Sequence, residues 1–348
     1  MDESPGALDP GTLFRRPDTF PLEFAQGAVD MVPMSQETYR RSLFLDRGRI
    51  VPAAKRGWRL PLPGLLGEFE RRGAAQQPVN FIFHIAHCGS TLLARALDLP
   101  ARTLVLREPF TLRQLGAEAA ATAAGPRDPD AWGRVLALAT GLLGRRYEET
   151  GTVIVKANVP VNFILAQLMA LHTESRGVLL FAELERYVLS VMKTPMHRNW
   201  VDNVSSQLAG GILASPELAE TDLRKLTTAQ RAACLWAAQI LRFRDAMAAD
   251  TRLRSLDCER LFASPAETLA RCFEHFGVDL PGNVPVEIAA GELFRHHAKN
   301  PGLAYDRERR ERDLERLRSE LAGDLEQARG WIEGEGLDGL ALPAAGAL

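Results

Sequence analysis

The run Phe81-Ile82-Phe83-His84-Ile85-Ala86-His87-Cys88-Gly89-Ser90-Thr91-Leu92-Leu93 carries the sharpest chemical signal in the chain. An apolar, strand-like stretch runs into a small-residue loop, and the loop opens a helical pattern. Gly89 lets the backbone pass close to a ligand. The successive N–H groups of Gly89 to Leu92 would converge near the positive end of a helix dipole. The hydroxyls of Ser90 and Thr91 add donors. Such a turn suits a phosphate or a sulfonate; a nucleophile elbow or a plain strand–helix turn are the other readings. No Lys precedes the Ser-Thr pair and the first Gly is missing, so this is not a Walker A loop.

The elements that must position this loop follow from the hydrophobic rhythm. Apolar runs of strand length fall at Val79–Ala86, Thr103–Arg107, Thr152–Lys156, Gly177–Phe181 and Leu253–Asp257. Helical patterns lie between them, at Thr91–Leu99, Trp132–Glu148, Pro160–His172 and Arg224–Ala249. Near-continuous apolar strands separated by helices predict an α/β fold, a mostly parallel central sheet flanked by helices on both faces. Ligands bind such sheets at the carboxyl ends of the strands. Asp130 is the expected N-cap of the helix that follows the 117–130 Ala-rich stretch and its break. Ser264-Pro265-Ala266-Glu267 reads as a capping box for a helix over Pro265–Phe276 stopped by Gly277. The mixed charges of Asp306–Glu320 predict a solvated helix with i,i+4 pairs.

The outer segments are less ordered in pattern. Residues 1–20 are rich in Pro, Gly and Asp, and residues 21–75 mix short apolar pieces with turn residues, with a short helix expected within 65–78. The expected division is an N-terminal, partly irregular extension over 1–75, a P-loop α/β domain over 76–300 and a helical C-terminal tail over 301–348.

Bulk properties exclude several classes. The 348 residues are 46% hydrophobic and 25% charged, and 42 Lys+Arg against 44 Asp+Glu leave a net charge of -2. No basic excess marks a nucleic-acid partner. No apolar run reaches the roughly 18 residues of a membrane span, and the acidic, proline-bearing start does not read as a signal peptide, so a cytoplasmic protein is expected. Cys88, Cys234, Cys258 and Cys272 lack any ligand spacing, so free thiols and no metal site are expected.

The order of motifs resembles that of the sulfotransferases. Their 5′-phosphosulfate loop commonly reads Lys/Arg-Ser-Gly-Ser/Thr-Thr after the first strand; here His87, Cys88, Gly89, Ser90 and Thr91 match, with His87 in the place of the usual cation. Val153-Ile154-Val155-Lys156-Ala157-Asn158-Val159-Pro160-Val161-Asn162 resembles the strand-Lys-x-Pro-x-Asn segment of many bacterial members. Val178 to Ser190 resembles the 3′-phosphate segment, in which an Arg ends the strand and a Ser follows eight residues later. Ser190 matches, while Ala182 stands at the Arg position.

The resemblance covers roughly residues 79–280 and implies a sulfotransferase that moves a sulfuryl group from 3′-phosphoadenosine-5′-phosphosulfate, as co-substrate, to a hydroxyl or amine of a small-molecule or peptide acceptor, with no metal. It implies donor binding by Cys88, Gly89, Ser90, Thr91, Leu92 and Ser190, with Arg186 in the role of the missing Arg and Lys193 or Arg198 as other replacements. Lys156, with His87, would neutralise the leaving phosphate. Glu108 is the candidate base for the acceptor, with His84 and His87 as alternatives; pairing of Glu108 with Arg107 or Arg113 is the structural reading. Lys299, after His296-His297, is placed in a loop over the nucleotide, and Trp200 is the tryptophan to watch for adenine. A nucleotide-binding protein that kept the fold and lost the reaction, and a P-loop small-molecule kinase, stay open beside this reading.

Overall fold

A computed structural model describes residues 8–73, 77–304, 307–344 and 346–348. Among the described residues ten strands, β1 (Thr19–Ala25), β2 (Ala28–Pro33), β3 (Trp58–Pro61), β4 (Val79–His84), β5 (Thr103–Arg107), β6 (Thr152–Lys156), β7 (Gly177–Phe181), β8 (Leu253–Asp257), β9 (His296–His297) and β10 (Asn300–Ala304), fall into three sheets. The central sheet has the order β5-β6-β4-β7-β8 and is parallel throughout.

The four strands of this sheet that follow β4 in the chain have the expected bounds. Strand β4 is assigned shorter than expected: Ile85 N–H still donates to the Leu180 carbonyl at 3.3 Å, and the chain leaves the ladder at Ala86, at φ 71°. Every residue of β4 and β5 is buried, as a sheet covered on both faces requires. Phe81 and Phe83, two apart and so on one face, stack at 5.4 Å. The helix Thr228–Ala249, which packs mainly on other helices, starts behind a capping box in which Thr227 and Gln230 satisfy each other's backbone.

The N-terminal segment is more regular than its composition indicated. Strands β1, β2 and β3 form an antiparallel sheet. Its first hairpin turns on Gln26 and Gly27, both at positive φ (50° and 72°), as a two-residue I′-type turn requires. Two buried arginines tie this segment to the core through main-chain carbonyls. Arg145 donates to Leu13 and Thr19. Arg107, at the end of β5, donates to Tyr39 and Ser42 and pairs with Asp98 at 2.9 Å.

Two helix starts differ from expectation. Asp128, not Asp130, caps the helix Pro129–Leu143, its carboxylate accepting from Ala131 N–H at 3.0 Å. Pro129 then takes the first helical position, which needs no N–H, and Asp130 falls inside the first turn. Ser264 makes no side-chain cap to the helix Pro265–His275. That helix follows Cys258–Ala263 with one residue between, so the Ser264 N–H and C=O both serve helical bonds, and Glu267 turns to Arg271 at 2.8 Å. The expected helix Pro160–His172 opens as a 3-10 turn over Val159–Ile164 before its α-helical part, Leu165–Leu171. The charged helix spans Arg307–Glu320, and a further helix, Ala322–Gly334, packs on Thr228–Ala249.

Candidate functional site

Strand β4 delivers the chain to the middle of the sheet's carboxyl edge, and there the backbone bends sharply. Ala86 and His87 lie at φ 71° and 52°, and Gly89 at φ 79°. Two successive non-glycine residues in the left-handed region cost about 1 kcal/mol or more each. The surroundings hold them: Ala86 N–H donates to His84 Nδ1 at 3.0 Å, and Leu93 N–H closes the first helical bond to Gly89 at 3.1 Å. A Cβ on Gly89 would come within 3.1 Å of the Phe262 ring. The glycine therefore serves its φ and the packing of Phe262, rather than a ligand's approach at that point.

The helix Ser90–Ala96 starts without a side-chain cap, so its first-turn N–H groups have no helical partner. The Cys88 side chain turns inward, its Sγ 3.6 Å from the Leu180 carbonyl of β7. The Ser90 N–H faces this sulfur, yet burial still pushes the thiol up to about 12. Cys88 is thus a packing residue through its side chain. The N–H groups of Thr91 and Leu92 and the hydroxyls of Ser90 and Thr91 complete the mouth of the turn.

Beneath the turn lies a buried trio. Lys156, at the end of β6, contacts Glu108 through Nζ and lies 3.1 Å from His84 Nε2. Its side chain is 1% exposed, against 17% for Glu108. Glu108 is itself at φ 55°, held by its N–H donating to the Lys156 carbonyl at 2.7 Å. Burial lowers the Lys156 ammonium from its ordinary range, and Glu108 opposes that shift. Burial, reinforced by Lys156 and Lys299, holds His84 neutral. Because His84 Nδ1 accepts from Ala86, Nε2 carries the ring proton. His84 can donate to Lys156 only as an amine; as an ammonium, Lys156 turns to Glu108.

Above the turn a second group converges from separate elements. His87 packs its ring against His197 (4.8 Å between centroids) and edge-on to Trp200 (5.5 Å), both on the helix Pro195–Gln207. Lys193 arrives from the end of Leu184–Met192, and His297 and Lys299 from the β9–β10 hairpin. That hairpin is anchored where Arg95 donates to the Ala298 carbonyl at 2.7 Å. Burial and the Lys299, His197 and Lys193 charges push His87 well down. Burial and the same two lysines lower His197 to about 4 and also lower His297. Phe44, from the N-terminal segment, faces both Lys156 (5.2 Å) and Lys299 (5.8 Å) with its ring.

The structure thus gathers His84, His87, Gly89 to Leu92, Glu108, Lys156, Lys193, Trp200 and Lys299 at one edge. It separates others. Arg186 is held by Glu311 at 3.4 Å and Glu259 at 3.7 Å, with Ser190 half-buried one turn on. Arg198 points to Asp324 at 2.6 Å. Ala182 is buried, its carbonyl accepting from Trp236 Nε1 at 2.9 Å. Arg107 reaches Asp98, and Arg113 lies over the Phe110 ring, so Glu108 pairs with neither. Phe44 and His197 escaped notice in the sequence. Neither sits in a motif, though Thr194-Pro195 marks the helix start that aims His197. Two clefts lie elsewhere, one of about 810 Å³ between Phe24 and Trp132 and one of about 440 Å³ beside Gly277.

Among the described residues no helix is long and apolar enough to cross a membrane, and no three or more His, Cys, Asp or Glu side chains are grouped to hold a metal ion. No protein-family model matches the chain, and no curated protein does. Solved structures similar to it include a sulfotransferase domain from the curacin biosynthetic pathway, at 12% identity over 71% of this chain and 99% of that one with a TM-score of 0.41. A sulfotransferase from Alicyclobacillus acidocaldarius follows at 14% identity, 75% and 97% coverage and a TM-score of 0.38. A sulfotransferase from Mycobacterium tuberculosis follows at 16% identity, 75% and 81% coverage and a TM-score of 0.40. The fold class itself rests on this chain's own sheet order and register.

Proposed function

We propose that the protein transfers a sulfuryl group from 3′-phosphoadenosine-5′-phosphosulfate to a hydroxyl or amine acceptor. The observation that carries the reading is the meeting of an uncapped helix start with Lys193, Lys299, His87 and His197, a site rich in donors and short of carboxylates. Two phosphate-type groups fit there: one at the turn, the other toward Lys193 and Lys299. The first-turn amides with Ser90 and Thr91 hold the 5′-phosphosulfate. Lys193, three residues beyond Ser190, supplies the charge that Ala182 lacks, since Arg186 is engaged by acids.

In the transfer step the acceptor oxygen or nitrogen bonds to sulfur, and the bond from sulfur to the bridging phosphate oxygen breaks. Glu108 takes the acceptor proton. The proton stays on Glu108, and Lys156, as the ammonium in contact with that carboxyl, presents positive charge toward the departing phosphate, with His87 alongside. Product leaves as the sulfated acceptor and adenosine 3′,5′-bisphosphate. A binding protein without turnover is the second reading, favoured by the alanine at 182.

Calorimetry with adenosine 3′,5′-bisphosphate in the absence of metal tests the donor assignment. Metal-free binding, weakened by combined Ser90→Ala and Thr91→Ala with little change in stability, is the expected result. Unchanged affinity in that variant removes the turn from the site, and a strict need for ATP with magnesium moves the protein to phosphoryl transfer. Sulfation assays then separate turnover from binding.

A further inference from the structure

The imidazoles around the turn differ in what faces their Nδ1 atoms. His84 Nδ1 accepts the Ala86 N–H at 3.0 Å, and His297 Nδ1 accepts the Lys299 N–H at 3.3 Å. A main-chain N–H can only donate, so neither Nδ1 can gain a proton without losing that contact. His197 Nδ1 instead meets the Thr194 hydroxyl at 2.6 Å. A hydroxyl can donate or accept, so rotation of one O–H lets the His197 ring gain a proton in place. His87 shows no such main-chain lock; its ring is bounded by His197 and Trp200.

We propose that the cluster of His87, His197, His297, Lys193 and Lys299 is an oxyanion subsite whose filling is coupled to proton uptake, with His87 and His197 taking the protons and His84 and His297 staying neutral donors. The proposal rests on the anion-binding reading of the turn and adds to it the ionisation of the site. The ligand group is a dianionic tetrahedral oxyanion, a phosphate monoester or sulfate.

The charges facing these rings define the sign. Lys193 and Lys299 stand beside them, with Lys156 and its partner Glu108 below and Asp313 acting on Lys193 from the charged helix. In the ligand-free protein the positive lysines and burial hold His87 and His197 neutral. A dianion reverses the local potential and favours imidazolium at both rings. Two imidazolium rings 4.8 Å apart are tolerated only with an anion beside them. Affinity therefore rises as pH falls, which a site of arginines would not do.

Inorganic sulfate is the clean probe, because it stays a dianion across the range of histidine titration. Ring titrations of the full chain are followed by NMR in sodium sulfate and in sodium chloride of equal ionic strength, with His87→Gln and His197→Gln assigning the signals. His87 and His197 should titrate about one pH unit higher, or more, in sulfate, while His84 and His297 do not move. Lys299→Met should shrink the shift. Sulfate binding with no rise at His87 or His197, or with the rise at His84 or His297, overturns the proposal. Calorimetry of adenosine 3′,5′-bisphosphate in two buffers of different ionisation enthalpy separates the two ideas. Binding without net proton uptake leaves the donor reading standing and removes this one. Sulfate-linked uptake without nucleotide binding keeps the subsite and removes the donor reading, and no binding of either ion removes both.

Discussion

His84 Nε2 and Lys156 Nζ lie 3.1 Å apart at the ends of two neighbouring parallel strands. This proximity sets the turn and the acidic residue side by side. The other ring nitrogen of His84 holds the backbone of Ala86, and Lys156 holds Glu108. Asn162 fastens the assembly from behind by donating to the His84 carbonyl at 3.0 Å.

Glu108→Gln should lower turnover by roughly 10²–10⁴-fold, the range for loss of a positioned base. Affinity for adenosine 3′,5′-bisphosphate should change little, because Glu108 is not among the groups proposed to hold the nucleotide. Steady-state kinetics beside calorimetry reads both, and equal turnover would return Glu108 to a structural role.

The same pair sets a stability asymmetry. Glu108→Ala leaves Lys156 buried without its acid, which should cost up to about 3–5 kcal/mol. Adding Lys156→Met to that variant should restore part of the loss, since the unpaired charge disappears. Denaturant midpoints of the single and double variants give the comparison. A double variant less stable than Glu108→Ala would show that Lys156 contributes packing more than it costs in charge.

Lys193 and Arg186 can be told apart as ligands of the second phosphate. Lys193→Met should weaken adenosine 3′,5′-bisphosphate binding about tenfold, the loss of one charge-assisted contact. Arg186→Met should leave it nearly unchanged, because Glu259 and Glu311 already occupy that guanidinium. Calorimetry of the two variants decides, and the reverse pattern would move the nucleotide toward the charged helix.

Acid should destabilise the protein through His172. Its ring is buried, Nε2 has no hydrogen-bond partner among the described residues, and burial lowers it to about 4. Above pH 6.5 the ring is neutral folded and unfolded, so it exerts no pH effect. As pH falls from about 6.5 toward 4, the unfolded chain binds the proton and the folded one does not. Stability is lost over that window by about 1 kcal/mol per pH unit. Unfolding free energies at several pH values should fall less steeply in His172→Phe.

Much of the frame was legible before any coordinates. The strands over 103–107, 152–156, 177–181 and 253–257 are short apolar runs between turn residues, and burial on both faces leaves that mark directly in the chain. The turn at 85–90 was legible because small residues between a strand and a helix have few other uses. The caps at Asp130 and Ser264 were misread because neighbouring candidates, Asp128 and an abutting helix, competed for the same positions. The β1–β3 sheet was missed because its turn is Gln26-Gly27, without the usual Asn or Asp.

By itself, then, the sequence determined the α/β class, the strands of the central sheet and the turn, because hydrophobic period and local turn chemistry are written residue by residue. Tertiary structure alone decided the rest. It paired Glu108 with Lys156 and not with Arg107 or Arg113, and it withdrew Arg186 and Arg198 into ion pairs with distant acids. It also brought Phe44, His197 and Lys299 to a turn that none of them adjoins in the chain. Ion pairs and ring contacts depend on distances between strands and layers, and spacing along one chain does not encode those distances.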